Sequence, residues 1–209
     1  GRIGRHVLKL ALESRLNIVA VNDLTSIENL VYLLKYDSMY GNYDKKIDYG
    51  KDYIKIGKQK IKVLQEKNPE NLPWKDLKVD IVIEATGLFT EREKAKKHLQ
   101  AGANKVLITA PGKNSDVTIA YGINDNKLKK EHKIISTASC TTNCLVPIVK
   151  VLNDKFGIKK GFMTTVHAYT NNQNVLDAPS KKLRRGRTAG QNIVPTTTGA
   201  TKALSLVLP

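Results

Sequence analysis

No apolar run in this sequence approaches the about 18 residues that a membrane helix needs, so no membrane partner is expected. Cysteine is scarce. Only Cys140 and Cys144 are present, four residues apart, and a helical pair at that spacing rarely meets disulfide geometry. Two cysteines cannot staple 209 residues, which favours a reducing compartment. Nor do they suggest zinc, because none of His6, His98, His132 and His167 stands at a ligand-like spacing from the pair, and no metal site is expected. Acidic residues are few as well, 19 against 35 lysines and arginines, for a formal charge of +16. That excess invites a polyanion-binding reading from a different functional class. However, the lysines of "KKIDYGKDYIKIGKQKIK" (45–62) alternate with apolar residues and read as one solvated face, so no specific nucleic acid is expected. The basic balance instead suits small anions such as phosphates. There is no initiating methionine and no terminating signal at Pro209, and both ends are expected to be cut.

What is present is a rhythm of helix and buried strand. "RIGRHVLKLALES" (2–14) carries apolar residues at helical spacing, "NIVAVND" (17–23) suits a strand covered on both faces, and "TSIENLVYLLKY" (25–36) opens with Thr25 three before Glu28, a capping-box pattern. A lysine-rich hairpin or meander follows. The rhythm then resumes with strand 79–87, a helix over 90–103 that is capped by Thr90 and stopped by Gly102, strand 105–111, and strand 132–139. Alternation of this kind predicts an α/β fold with a Rossmann-type parallel sheet. Residues 141–157 predict a helix closed by Gly157, with a kink at Pro147, and "GFMTTVHAYT" (161–170) predicts a strand. The change of texture places a domain boundary between 1–138 and 139–209.

Two places suggest chemistry. In "GRIGR", Gly1 and Gly4 match the second and third glycines of a dinucleotide fingerprint, a helix follows at once, and Asp23 ends the next strand nineteen residues after Gly4. Such a carboxylate accepts hydrogen bonds from an adenosine ribose and repels a 2′-phosphate, which favours NAD over NADP. A pyrophosphate would lie over the amides of the helix start. The second place is "STASCTTNCLVPIVK" (136–150). Cys140 at a helix mouth feels aligned peptide dipoles that lower its pKa, whereas Cys144, one turn deeper, reads as packing. A cysteine nucleophile needs a base. His167 in "TTVHAYT" is the candidate, although a lone histidine in a strand is more often structural; the other three read as exposed helix or turn.

Taken in order, "GRIGR", "VAVNDL", "SCTTNC", "TTVHAYT" and "PTTTGATKA" resemble the phosphorylating glyceraldehyde-3-phosphate dehydrogenases over nearly the whole chain. The resemblance implies a Rossmann NAD-binding domain without its first strand, then the start of an α+β catalytic domain. It implies that Cys140 adds to the aldehyde of glyceraldehyde 3-phosphate, that His167 activates the thiol, and that inorganic phosphate releases a thioester. Cofactor positions carry over as Gly1, Arg2, Ile3, Gly4, Asp23, Thr109 and Lys67, the last standing where the family usually has arginine and so losing a planar fork. Substrate and phosphate positions carry over as Ser139, Cys140, Thr141, Thr170, Arg185, Thr198 and Gly199. A cytoplasmic, glycolytic homotetramer is implied, with a further arginine and asparagine beyond Pro209. Erythrose-4-phosphate dehydrogenase is the nearest alternative, and the intact "TTTG" favours the triose enzyme.

Overall fold

Leu8 and Ala11 lie on one side of the first helical segment, and both are buried in helix α1, Arg2–Glu13. The computed structural model describes residues 1–14 and 16–208, and it separates into two units. The first comprises Gly1–Ile119 with Asp125–Ala138; the second comprises Ala120–Asn124 with Ser139–Pro209, of which Pro209 lies outside the described residues.

In the first unit α1 is followed by β1 (Ala20–Asn22), α2 (Ile27–Lys35), a small hairpin of β2 (Tyr36–Asp37) and β3 (Gly41–Asn42), then β4 (Ile47–Tyr49), β5 (Tyr53–Ile56) and β6 (Gln59–Leu64). The lysine-rich stretch forms the expected meander. Lys55, Lys60 and Lys62 point outward while Ile54, Ile56, Ile61 and Val63 point inward, with register Ile54↔Ile61. Those four side chains pack with Leu8, Leu30, Val31 and Leu34 in one cluster. Burying each such residue contributes about 1.5–3 kcal/mol.

The remainder of the unit is β7 (Ile81–Glu84), α3 (Arg92–Gln100), β8 (Lys105–Ile108), β9 (Val117–Thr118) and β10 (Ile134–Ser136). The strands form two four-stranded sheets, β1-β6-β5-β4, in which only β1 and β6 run parallel, and β7-β8-β10-β9, which is parallel throughout. The fold is therefore α/β with a parallel sheet. Parallel strands covered by helices leave their carboxyl ends free for ligands, and both sheets turn these ends toward the start of α1: Gly1 N lies 3.3 Å from Asp23 Oδ2, just past β1, and a Cβ on Gly4 would stand 3.4 Å from that of Ala85, just past β7. After α3 the chain turns at Gly102, with φ +106°, where a Cβ would meet Lys75 backbone atoms at 2.7 Å.

The second unit is built on α4 (Cys140–Phe156) and α5 (Ala200–Val207), whose Val146 and Val207 pack with Ala120. Gly157 ends α4 with φ +69° and open space around it.

Three sequence expectations are corrected. Ser26, not Thr25, caps α2 by accepting the Asn29 amide, because the helix starts one residue later than the capping-box pattern implies. Thr90 does not cap α3; Glu91 holds that position without a side-chain bond, and Thr90 uses its carbonyl to accept from Lys113. Residues 161–170 form no strand among the described residues. A strand needs a neighbouring backbone to take its N–H and C=O groups, and Phe162 and Val166 are instead fully exposed. As expected, α4 runs through Pro147 and is closed by Gly157.

Candidate active site

Ser139 caps α4 by accepting the Thr142 amide at 3.0 Å, and this fixes the helix start so that Cys140 is its first residue. The residue before the cap, Ala138, is buried and adopts φ +60°, a left-handed conformation that costs a non-glycine residue about 1–2 kcal/mol. Strain of that kind persists where surrounding structure imposes it, and it often marks functional sites.

Cys140 Sγ lies 3.2 Å from His167 Nε2 and 3.9 Å from Thr141 Oγ1. The other ring nitrogen of His167, Nδ1, donates to the Ala168 carbonyl at 2.6 Å. With the Nδ1 proton held there, Nε2 of the neutral ring is free to accept the thiol proton. Partial burial pushes the Cys140 thiol up, but the His167 hydrogen bond, the hydroxyl and amide of Thr141 and the imidazolium charge together bring it below the ordinary thiol value. His167 shifts the opposite way, raised first by the Ala168 carbonyl and then by Cys140. Both shifts run in the direction of thiolate and imidazolium, as in an activated nucleophile.

Elsewhere in this unit, Thr170 opens a turn by accepting from Asn172 and Gln173, Arg185 Nε donates to Thr196 Oγ1 at 3.0 Å, Thr198 Oγ1 accepts from Ala200 N, and Gly199 caps α5. The structure thus brings Arg185 to the segment holding Thr198 and Gly199. No hydrogen bond among the described residues joins Thr170, Arg185 or Thr198 to the Cys140–His167 pair. Cys144 does not pack. It is exposed, because the buried positions of α4 are Thr142 and Val146 and residue 144 falls on the opposite face.

In the first unit, the start of α1 has Gly1 as a cap with no side-chain bond, so the amides of Arg2, Ile3 and Gly4 have no competing cap and suit an anion such as a pyrophosphate. Asp23 is held by accepting the Thr25 amide at 3.0 Å and keeps a partly exposed carboxylate beside Gly1. Lys67 is exposed on the loop after β6, which Asn22 ties down by two hydrogen bonds to Glu66. Thr109, after β8, bonds the Glu84 carbonyl through both its amide and its hydroxyl. The α1 amides and the Asp23 carboxylate fit a dinucleotide, whereas both donors of Thr109 are already used. The Arg2 side chain is engaged elsewhere: its guanidinium forks onto Asp37 at 3.1 Å twice and lies over the Tyr40 ring. The amide of Met39 first, then that of Tyr40 and the Arg2 fork, hold the Asp37 carboxyl well below the usual range.

Sequence reasoning missed one cluster here. His98 was expected on an exposed helix face, yet it is buried between Trp74 and Glu84, because the inward face of α3 is set by these distant partners. An acidic residue closing an otherwise apolar strand, as in "IVIE", was the available signal. Among the described residues no helix is long and apolar enough to cross a membrane.

Residues 1–92 match the family model described as glyceraldehyde 3-phosphate dehydrogenase, NAD binding domain, and residues 139–209 match that described as glyceraldehyde 3-phosphate dehydrogenase, C-terminal domain. Among curated proteins, glyceraldehyde-3-phosphate dehydrogenase 2 of Bacillus subtilis (strain 168) is 54% identical over 211 residues, covering 100% of this chain and 62% of its own length. The glyceraldehyde-3-phosphate dehydrogenase of Thermotoga maritima is 55% identical over 210 residues, covering 99% of this chain and 63% of its own. That of Geobacillus stearothermophilus is 54% identical over 211 residues, again covering 63% of the relative. The chain therefore spans somewhat under two thirds of the length of these relatives.

Proposed function

The chain belongs to the glyceraldehyde-3-phosphate dehydrogenase family, and on that premise we propose that its protein converts glyceraldehyde 3-phosphate, NAD and inorganic phosphate to 1,3-bisphosphoglycerate and NADH. The observation that carries this reading is the 3.2 Å contact of Cys140 Sγ with His167 Nε2 at a helix N-terminus.

In this reading His167 Nε2 takes the thiol proton, and the Cys140 thiolate adds to the aldehyde carbon. The resulting oxyanion is protonated by the imidazolium or held by first-turn amides of α4, giving a thiohemiacetal. His167 then removes the hydroxyl proton as the carbon gives up its hydride, leaving a thioester on Cys140. NAD, when bound, supplies the acceptor for that hydride. A phosphate oxygen attacks the thioester carbonyl, the C–S bond breaks, and the thiolate returns with the acyl phosphate as product. A thioester is well suited to this exchange because thiolate is a good leaving group, which accounts for cysteine rather than serine.

Gly1, the amides of Arg2, Ile3 and Gly4, and Asp23, Lys67 and Thr109 are assigned to NAD, with Arg2 contributing through its backbone. Ser139, Thr141, Thr170, Arg185, Thr198 and Gly199 are assigned to the substrate and inorganic phosphate groups. Residues 1–138 serve as the cofactor domain and 139–209 as part of the catalytic domain of a cytoplasmic homotetramer. The test is NADH formation by the full-length protein with and without phosphate. Phosphate-dependent turnover that Cys140→Ser abolishes is expected; a Ser variant with full activity overturns the mechanism.

A further inference from the structure

The Glu84 carboxylate is buried at the carboxyl end of β7, where a charge is expensive unless fully bonded. Its bonds tie the turn that follows β7 to α3. Oε1 accepts the amide of Thr86 at 2.7 Å and also the Thr86 hydroxyl, which in turn caps the amide of Leu88. Oε2 lies 3.1 Å from His98 Nε2. The Glu84 backbone carbonyl holds Thr109, and the next residue, Ala85, faces Gly1 and Gly4. Burial pushes the Glu84 carboxyl up, but the bonds from His98 and Thr86 outweigh it and keep it ionised.

Trp74 orients this carboxylate at one remove. Its indole N–H donates to His98 Nδ1 at 3.1 Å, so Nδ1 is the acceptor and Nε2 carries the proton toward Glu84. Phe89, from the same turn as Thr86, sets its ring edge against His98 at 6.0 Å between centroids. An apolar trio of similar volume would fill this space at lower desolvation cost. The polar trio is better explained by the turn that it shapes.

We infer that Trp74, His98 and Glu84 are positioning residues for the cofactor: the Trp74–His98 bond fixes the imidazole so that its Nε2–H and the Glu84 carboxylate hold the 85–89 turn in the form that receives the dinucleotide. The inference rests on the NAD reading above.

Two substitutions at one position separate this role from simple space filling. In His98→Gln the side-chain amide nitrogen replaces Nε2 and keeps the donor to Glu84. In His98→Asn the side-chain oxygen replaces Nδ1, which keeps the Trp74 partner and loses that donor. NAD binding to the full-length protein is measured by calorimetry, alongside the thermal midpoint. Losing a hydrogen bond to a buried charge predicts NAD binding about tenfold weaker for His98→Asn, with His98→Gln restoring most of it. Equal affinities in the two variants, whether both normal or both weak, overturn the inference even where both thermal midpoints fall. Should His98→Asn not fold, Glu84→Gln reads the same link and is expected to weaken NAD about tenfold; unchanged affinity in it overturns the inference. A wild-type protein that binds no NAD overturns the reading beneath it, and the inference with it.

Discussion

His98 and His167 receive opposite tasks from the same device. In each, a neighbour claims Nδ1 and thereby decides what Nε2 does. At His98 the Trp74 N–H occupies Nδ1 as a donor, so Nε2 must itself donate, and the ring is a buried fixed strut. At His167 the Ala168 carbonyl takes the Nδ1 proton, so Nε2 is left to accept one, and the ring is an exposed base facing a thiol. A histidine's chemistry here is set less by its own environment's polarity than by whether one partner atom is a donor or an acceptor.

The sharpest way to break this contrast is His167→Asn. Loss of a general base predicts a fall in kcat of about 10²–10⁴-fold in steady-state NADH formation. His98→Asn should act mainly on the Michaelis constant for NAD, and a comparable loss of kcat there would erase the distinction. A pH profile of Cys140 alkylation by iodoacetamide probes the base directly. Because His167 lowers the thiol pKa, alkylation in the wild type should persist below the ordinary thiol range and fall only as the pH drops through the lowered value. In His167→Asn the fall should come at higher pH, and an unmoved midpoint would mean that the histidine does not activate the thiol. Ser139→Ala is the smallest test. It should cost about 1 kcal/mol of stability through the lost cap, read as a lowered denaturation midpoint, while the His167 dependence of alkylation survives.

The two histidines also mark how far the sequence could be read. Cys140 was legible because a helix start is a local property, signalled by the helical stretch that follows it. The place of Asp23 one residue past β1 was legible because the end of a strand is local too. His98 was not. "REKAKKHLQ" reads as a polar helix, and its burial is imposed by Trp74 and Glu84, 24 and 14 residues away. Likewise "GFMTTVHAYT" has the β-branched and aromatic residues of a strand, but pairing depends on a neighbouring backbone that composition cannot supply. Cys144 followed the same logic in reverse: its place one turn deeper than Cys140 suggested packing, while the inward face of α4 runs through Thr142 and Val146.

Gly102 and Gly157 both follow helices with positive φ, yet inheritance should treat them differently. At 157 nothing lies within 4 Å of where a Cβ would stand, so a substitution meets no neighbour and costs only backbone strain, because φ +69° with ψ +134° falls outside the left-handed helical well; variants there should fold with lowered stability. At 102 the backbone of Lys75, the residue following Trp74, occupies the space of the Cβ itself. Every missense change at that codon should be purged, which makes a single hydrogen atom beside the Trp74 turn one of the least negotiable letters in the gene.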